Sequence, residues 1–179
     1  PDGVKVTISL AYRIAKMKKG GSNPCWLQGN GAYGFGASAS FSVGSLCLLD
    51  RGFVIAEAHI RGGNDLGEHW YDDGKLMHKK NNPNEKPAYD YIKSYCPYTN
   101  LSKRAYPAML VLTSLNDSQV MYWEPAKYVA KLRTLKTDRN VLLFKCIMEA
   151  GHSGASGRYD ALKELAFSQA FVLWQLGMK

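Results

Sequence analysis

Two polar segments carry the side chains of this sequence that are best suited to acid–base chemistry. Asp117 lies in the segment 114–118 (SLNDS), and His152 lies between glycines in the segment 149–154 (EAGHSG). A carboxylate beside an imidazole fixes the imidazole tautomer and stabilises the imidazolium, so the imidazole can act first as a general base and then as a general acid. The two residues are therefore candidates for a catalytic pair.

Each of the two residues also has a structural explanation. Asp117 is of a type that caps helices, and it precedes a predicted helix. His152 alone is compatible with an ordinary surface histidine. Their joint placement, each directly after a predicted strand, favours the catalytic pair over the two separate explanations.

The elements that must position the pair are two strands and two helices. Apolar runs predict buried strands over 107–113 and 140–147, and helical spacing predicts helices over 124–135 and 159–176. This order predicts an α/β fold with a mostly parallel sheet, in which both loops lie at the carboxyl ends of their strands. An acid followed by a histidine on successive strand ends is also the second half of the Ser, Asp, His order of α/β-hydrolases.

The N-terminal half predicts three more strands and a glycine-rich loop. Alternation over 5–12 predicts a half-buried strand with Val6, Ile8 and Leu10 on one face. Further strands are predicted over 24–28 and 53–58, the loop over 29–36, an ambiguous helix or strand over 41–50, and no long periodic helix over 64–106.

Composition and charge narrow the possible functions. The 179 residues are 46% hydrophobic and 21% charged, which is typical of one globular domain. The net charge of +8 is scattered, so nucleic-acid binding ranks last, and no apolar run approaches the ~18 residues of a membrane span. The four cysteines lack the paired spacing of a zinc site, so we expect no metal, and we expect no cofactor either. Cys25, Cys47 and Cys146 have apolar neighbours, which predicts buried, reduced thiols and a cytoplasmic setting.

Several longer segments resemble one enzyme family. They are residues 52–63 (GFVIAEAHIRGG), 70–75 (WYDDGK), 117–127 (DSQVMYWEPAK), 132–138 (LRTLKTD) and 151–158 (GHSGASGR). Together they resemble oligopeptidase B of the prolyl oligopeptidase family of serine peptidases, and the resemblance covers most of the chain. It implies an α/β-hydrolase domain that cleaves short peptides, with Lys or Arg before the scissile bond, and it matches Asp117 to the triad acid and His152 to the triad base.

The family's nucleophile is missing from the sequence. No Gly-x-Ser-x-Gly elbow lies between Gly63 and Asp117, and the resemblance breaks near 81–82, where ~60 residues or more are absent. Ser38 follows the wrong strand, Ser156 follows His152 too closely, and Ser118 neighbours the acid, so none of the three suits the role.

The glycine-rich loop departs from the family as well. Asn30 stands where the resemblance implies a tyrosine whose hydroxyl helps to hold the oxyanion. Its amide could donate instead, although a turn residue with positive φ explains Asn30 equally well. Tyr33 matches an aromatic residue of the family's substrate pocket, and burial against the helix layer would explain it too.

The resemblance therefore describes residues 1–179 as a partial catalytic domain, without the β-propeller that accompanies this domain in the family. Losing the central strand would split the sheet and expose two strand edges. Three explanations stay open: an internal segment that this sequence omits, gene decay or engineering, and a partner chain that completes the sheet. An inactive remnant or interaction module is the alternative to a peptidase.

Overall fold

A computed structural model describes residues 3–36, 42–79 and 84–179, with only the backbone described at 74–79 and 158. The chain divides into two compact units, residues 1–92 and residues 93–179. The predicted break near 81–82 and the candidate Ser38 lie outside the described residues. No helix in the described ranges has the length and apolar character needed to cross a membrane.

The first unit is built on a three-stranded sheet. Its strands are β1 (Ile8–Ala11), β2 (Cys25–Gln28) and β3 (Val54–Ala58), in the order β1-β3-β2, with β1 antiparallel and β2 parallel to β3. A 3-10 turn (Ile14–Lys16) follows β1, helix α1 (Val43–Asp50) precedes β3, and α2 (Glu68–Lys79) follows it. Helix α3 (Lys86–Tyr95) spans the boundary of the two units.

The second unit has two parallel strands and two helices. Strands β4 (Met109–Ser114) and β5 (Leu142–Ile147) pair in parallel along their whole length, from Met109 opposite Leu142 to Ser114 opposite Ile147. Helix α4 (Trp123–Leu135) connects them and packs on both, and α5 (Arg158–Gln175) closes the unit. Val129 and Leu132 of α4 are fully buried, so the core of this unit lies between α4 and the two strands.

The structure confirms the predicted α/β class with mostly parallel pairing, since two of the three strand pairs are parallel. Strands β3, β4 and β5 begin within two residues of their predicted starts. The ambiguous segment 41–50 contains a helix, because its apolar side chains pack against β3.

Three expectations about the first unit are wrong. Residues 64–106 contain α2 and α3, because Pro87 occupies the first turn of α3, where a helix tolerates proline. The face of β1 with Val6, Ile8 and Leu10 is exposed rather than half-buried, since no described element covers this edge strand. The expected burial of the three cysteines with apolar neighbours is also wrong: Cys25 is exposed, because β2 is the other edge strand of the sheet, and Cys47 and Cys146 are only partly buried.

The closing helix buries fewer apolar side chains than its pattern predicts. Leu162 is 54% exposed, and Ala166 and Ala170 are exposed as well, whereas Gln169 is 7% exposed. The face of α5 that the apolar pattern defined is therefore only partly covered by the described residues of this chain.

A charged clamp fixes the start of β4 against the start of β5. Asp138 accepts a hydrogen bond from the backbone N–H of Tyr106 (2.7 Å) and forms an ion pair with Lys136 (2.8 Å). Asn140 donates from its side chain to the carbonyl oxygen of Tyr106 (2.6 Å). The Lys136 ammonium, together with the backbone N–H groups of Tyr106 and Asn140, lowers the pKa of Asp138 to about 2.

This clamp predicts a loss of stability in acid. Because the pKa of Asp138 is lower in the folded chain than in the unfolded chain, its ionised form stabilises the fold above pH ~4, and this contribution disappears as the pH falls toward ~2. Asp138→Asn should lower the urea midpoint at pH 7 and flatten its decrease between pH 4 and pH 2. Urea unfolding followed by circular dichroism at a series of pH values measures both effects.

The matched control is Asp160→Asn, which removes a half-exposed carboxylate from an ion pair with Lys163. An exposed pair of this kind contributes little to stability, so the control should retain the wild-type pH profile. Equal behaviour of the two variants would contradict a special role for Asp138.

Candidate functional site

The ends of β4 and β5 hold the two loops of the candidate site side by side. Because the strands are parallel and in register to their last residues, both loops leave the sheet at the same edge. The loops are also hydrogen-bonded to each other: Asn116 donates from its backbone N–H to Ala150 (3.2 Å) and from its side chain to Met148 (3.1 Å). The two loops that carry Asp117 and His152 are thus held together by hydrogen bonds.

Asp117 and His152 are in direct contact. His152 Nδ1 lies 3.0 Å from each carboxylate oxygen of Asp117. An ionised carboxylate only accepts, so the contact favours the tautomer with the proton on Nδ1 and leaves Nε2 as the acceptor. The Asp117 side chain is 11% exposed and that of His152 is 41% exposed, so the acid is sheltered and the base faces solvent.

Backbone hydrogen bonds hold the carboxylate in place. Asp117 Oδ1 accepts from the backbone N–H groups of Gln119 and Val120, both at 2.9 Å. The Val120 N–H, with those of Gln119 and the His152 side chain, lowers the pKa of Asp117 although partial burial opposes this. Asp117 is therefore ionised at neutral pH, as the orienter of an imidazole must be.

The helix-capping explanation of Asp117 is not what the structure shows. Helix α4 begins at Trp123, and the residue at its N-cap position is Tyr122, without a side-chain cap. Asp117 instead caps the turn over 117–120, and it lies six residues before the first residue of the helix. This local turn orients the carboxylate toward His152, so the capping and the contact with the imidazole occur together.

A tight turn presents the imidazole. Gly154 donates its N–H to Gly151 (3.1 Å) and has a φ of 76°, a value that L residues rarely adopt. Glu164 of α5 accepts from the N–H of Ala155 (3.1 Å), and a Cβ on Gly154 would lie 2.7 Å from Glu164 Oε2. Glu164 thus ties the histidine loop to α5, a role that the sequence did not signal because α5 was interpreted only through its apolar pattern.

A cavity of about 620 Å³ in the second unit has Asp117 and His152 in its wall. Its lining includes the serine at the end of β4, two aromatic rings and two further carboxylates: Ser114, Tyr98, Tyr128, Glu124 and Glu164. No lysine or arginine is among the described lining residues, although the whole chain has a net charge of +8. The cavity is therefore an acidic pocket in a basic protein.

Asn30 and Tyr33 lie in the first unit, in the loop that follows β2. Both are exposed, Tyr33 by 75%. The suggestion of positive φ at Asn30 is wrong: among the described non-glycine residues Tyr33 alone has it, at 57°. Gly31 packs so closely on the next turn that a Cβ there would lie 2.5 Å from the Arg61 carbonyl oxygen. The predicted oxyanion and substrate roles of this loop stay predictions.

The described residues hold no nucleophile for His152. No serine hydroxyl of 3–36, 42–79 or 84–179 is hydrogen-bonded to its imidazole, and this includes Ser118 and Ser156 in the two loops themselves. Nor does any cluster of three or more potential ligands for a metal ion occur in these ranges. The site contains an imidazole oriented by a carboxylate, and its Nε2 has the acceptor lone pair that a hydroxyl group brought there could use.

Known proteins share this architecture. The model of the prolyl oligopeptidase family matches residues 39–84 and 75–179. A dipeptidyl aminopeptidase BI of Pseudoxanthomonas mexicana is 36% identical over 252 residues, covering 97% of this chain and 35% of the relative. A protease 2 of Moraxella lacunata is 31% identical over 255 residues, covering 99% of this chain and 37% of the relative.

A solved structure agrees with the sequence comparisons. Oligopeptidase B from Trypanosoma brucei, in a closed form with covalently bound antipain, is 30% identical and superposes with a TM-score of 0.90, covering 100% of this chain and 36% of that one. The chain thus spans about a third of the length of the relatives that it matches.

The oriented imidazole gives a prediction that does not require catalysis. In the wild-type chain, ¹⁵N NMR of the uncharged His152 ring should show Nδ1 protonated and Nε2 unprotonated, because Asp117 accepts from Nδ1. In Asp117→Asn the amide oxygen can keep the Gln119 and Val120 N–H groups while the amide N–H donates to Nδ1, so the tautomer protonated on Nε2 should replace the original one. Glu149→Gln is the control, because Glu149 makes no hydrogen bond with His152 and its removal should leave the spectrum unchanged.

The glycine turn gives a second prediction. Gly154→Ala places a side chain at positive φ and against Glu164, and should lower the free energy of unfolding by about 1–2 kcal/mol. Gly151→Ala is the matched control: its Cβ would meet nothing nearer than 3.5 Å, so its effect should stay within about 0.5 kcal/mol. Urea unfolding of both variants measures the difference, and equal losses would contradict the strained role of Gly154.

Proposed function

Because this chain belongs to the prolyl oligopeptidase family, we propose that it is part of the hydrolase domain of a serine-type oligopeptidase, with His152 as general base and Asp117 as its orienter. The observation that carries the proposal is the contact of His152 Nδ1 with the Asp117 carboxylate at 3.0 Å, at the carboxyl ends of two parallel strands. His152 Nε2 is left available to take a proton from a nucleophile.

The reaction needs a serine that this sequence does not contain at the family's position. In the proposed mechanism, a serine hydroxyl brought to Nε2 gives its proton to His152 while its oxygen attacks the peptide carbonyl carbon. His152 then returns the proton to the leaving amine, and the same pair activates water to release the acyl group. Asp117 stabilises the imidazolium in both stages.

We propose that the serine belongs to a segment of the family's fold that is absent near 81–82. The alignment with the Pseudoxanthomonas mexicana relative extends over 252 residues, whereas this chain has 179, so at least 73 aligned positions have no counterpart here. The two segments that the family model matches overlap over residues 75–84. Both observations support a single internal gap at the predicted break.

The exposed apolar surface supports an incomplete core. Among the described residues, large apolar side chains of each unit are exposed, including Leu10 (58%) and Leu27 (63%) in the first and Leu162 (54%) and Trp174 (59%) in the second. The sheets also fit this explanation: β2 ends one sheet, and β4 pairs with β5 alone among the described strands. A segment inserted near 81–82 would cover part of this surface.

We propose short peptides as substrates, with a basic residue before the scissile bond. The lining of the cavity at His152 supports a cationic side chain, because Asp117, Glu124 and Glu164 contribute carboxylates there and none of the described lining residues is Lys or Arg. The four free cysteines support a reducing, cytoplasmic setting.

Restoring the segment tests the proposed peptidase. In a chimera that carries the corresponding segment of the Moraxella lacunata relative between residues 81 and 82, we expect cleavage of short peptide amides after Lys or Arg, and none by the 179-residue chain. His152→Ala in the chimera should lower kcat roughly 10⁴-fold or more. His69→Ala, which removes an exposed histidine of the first unit, is the control and should leave kcat unchanged.

Two outcomes would overturn the proposal. A chimera that folds, as judged by cooperative unfolding, but hydrolyses no peptide would remove the assigned role of the Asp117 and His152 pair. Activity that persists in the His152→Ala chimera would show that another base serves the reaction. Cleavage after other residues at comparable kcat/KM would reject the basic specificity alone.

A non-catalytic interaction module is the second candidate function. The observation that favours it is the large exposed surface together with the open edges of β2 and β4, which another chain could cover by strand pairing. Light scattering coupled to size exclusion tests the module: a defined, soluble oligomer of the 179-residue chain favours it, and a soluble monomer counts against it.

A further inference from the structure

A second serine, histidine and aspartate are linked by hydrogen bonds in the first unit. Ser9 Oγ lies 2.8 Å from His59 Nε2, and His59 Nδ1 lies 2.7 Å from Asp65 Oδ1. The three residues share none of the elements that hold Asp117 and His152. The chain of contacts runs from a hydroxyl through both ring nitrogens of an imidazole to a carboxylate, which is the arrangement of an activated serine nucleophile.

Backbone pairing holds the serine and the histidine together. Ser9 lies on β1, and the antiparallel register places it opposite Glu57 of β3. His59 follows β3 directly and donates its N–H to the Thr7 carbonyl oxygen (3.0 Å), which continues the ladder by one more pair. Ser9 and His59 are thus two residues apart across adjacent strands, on the same face of the sheet, where side chains reach each other.

The turn after β3 positions the acid. Gly63 leaves room for Asp65, because a Cβ on Gly63 would lie 2.7 Å from Asp65 Oδ2. The buried Trp70 donates from its indole to the His59 carbonyl oxygen (2.9 Å), so the backbone that carries the imidazole is anchored as well. Two packed elements therefore fix the imidazole and the carboxylate independently of the serine.

Burial differs along the three residues in the way that a reactive serine requires. The Asp65 side chain is 7% exposed and that of His59 is 15% exposed, whereas Ser9 is exposed on an edge strand. A sheltered carboxylate interacts more strongly with the imidazole than one in water would. The hydroxyl at the other end is accessible to a reagent in solution.

The carboxylate also selects the imidazole tautomer. An ionised Asp65 only accepts hydrogen bonds, so Nδ1 carries the ring proton and donates it, and Nε2 accepts from the Ser9 hydroxyl. Asp117 favours the same tautomer at His152, but the two sites differ in the partner of Nε2. At His59 the hydroxyl is already present at 2.8 Å, whereas Nε2 of His152 has no hydroxyl partner among the described residues.

We propose that Ser9 is a nucleophile, activated by His59 and oriented by Asp65, that reacts covalently with activated esters and organophosphorus fluorides. Ser9 Oγ forms a bond to the acyl carbon or the phosphorus, its proton passes to His59 Nε2, and the phenolate or fluoride departs and takes up that proton. With an ester, attack of water on the acylated serine releases the carboxylic acid and restores the hydroxyl.

The substrate class follows from what the three residues supply. They activate the nucleophile, but stabilisation of the oxyanion commonly contributes a further 10²–10³ in rate, and peptide amides with their poor leaving groups depend on it. Aryl esters and phosphonofluoridates have leaving groups that depart readily. We therefore assign such reagents, rather than peptides, to Ser9.

A fluorophosphonate probe on the 179-residue chain tests the assignment, with the adduct located by peptide mass spectrometry. We expect a single phosphonylated residue, Ser9, and no labelling of Ser9→Ala. His59→Gln should slow the labelling about 100-fold, the usual contribution of a general base. Ser22→Ala, which removes an exposed serine of the same unit, is the control and should label at the wild-type rate.

Asp65 is tested as a positioning residue by a conservative rescue. Asp65→Asn should slow the labelling at least about tenfold, and Asp65→Glu, which keeps a carboxylate, should recover part of the rate. Cooperative urea unfolding of each variant separates slow labelling from loss of the fold. If His59→Gln does not fold, two measurements still test the role of Ser9. They are the labelling rates of Asp65→Asn and Asp65→Glu, and the initial rate of p-nitrophenyl acetate hydrolysis by Ser9→Ala compared with wild type.

Three results would overturn the proposal: an adduct on another residue, no adduct above that of the Ser9→Ala chain, or equal labelling rates for Asp65→Asn and wild type. The experiment needs neither the absent segment nor peptide hydrolysis. Its failure is therefore distinguishable from failure of the proposed peptidase function, which is measured with peptides in the chimera.

Discussion

The parallel pairing of β4 with β5 is the constraint on which the candidate site depends. Because the two strands are in register up to Ser114 and Ile147, the loops that follow them leave the sheet together and are hydrogen-bonded to each other. The buried face of α4 and the Asp138 clamp hold the pair of strands at its face and at its start. The contact between Asp117 and His152, beyond the carboxyl ends of the two strands, follows from this pairing.

The chain belongs to the prolyl oligopeptidase family, and the two residues that the resemblance matched to the family's acid and base are in contact. The acid and the base are positioned within the second unit by contacts that need no other part of the chain. The sequence contains no Gly-x-Ser-x-Gly elbow between Gly63 and Asp117, and the proposed position of the serine is in the segment that is absent near 81–82. The orientation of the imidazole does not need a hydroxyl partner at Nε2, because each strand end is held by its own neighbours.

Two imidazoles in this chain share one electrostatic arrangement. In both, a sheltered carboxylate accepts from Nδ1 and leaves Nε2 for a hydroxyl group. His152 is in the wall of a cavity lined by carboxylates, whereas His59 is paired with a serine on an edge strand. Peptide hydrolysis requires more than this hydrogen-bond geometry. A substrate pocket and stabilisation of the oxyanion are needed as well.

The sequence by itself determined the α/β class, the strands β3 to β5, the family, and the placement of Asp117 and His152 after neighbouring strands, because these follow from local apolar runs and short motifs. Only the tertiary structure decided that Asp117 caps its own turn, that Glu164 holds the histidine loop, and that the positive φ belongs to Tyr33. The same holds for the exposure of β1 and for the contact of Ser9 with His59, fifty positions away. These depend on which distant segments pack together, and periodicity along the chain carries no information about that.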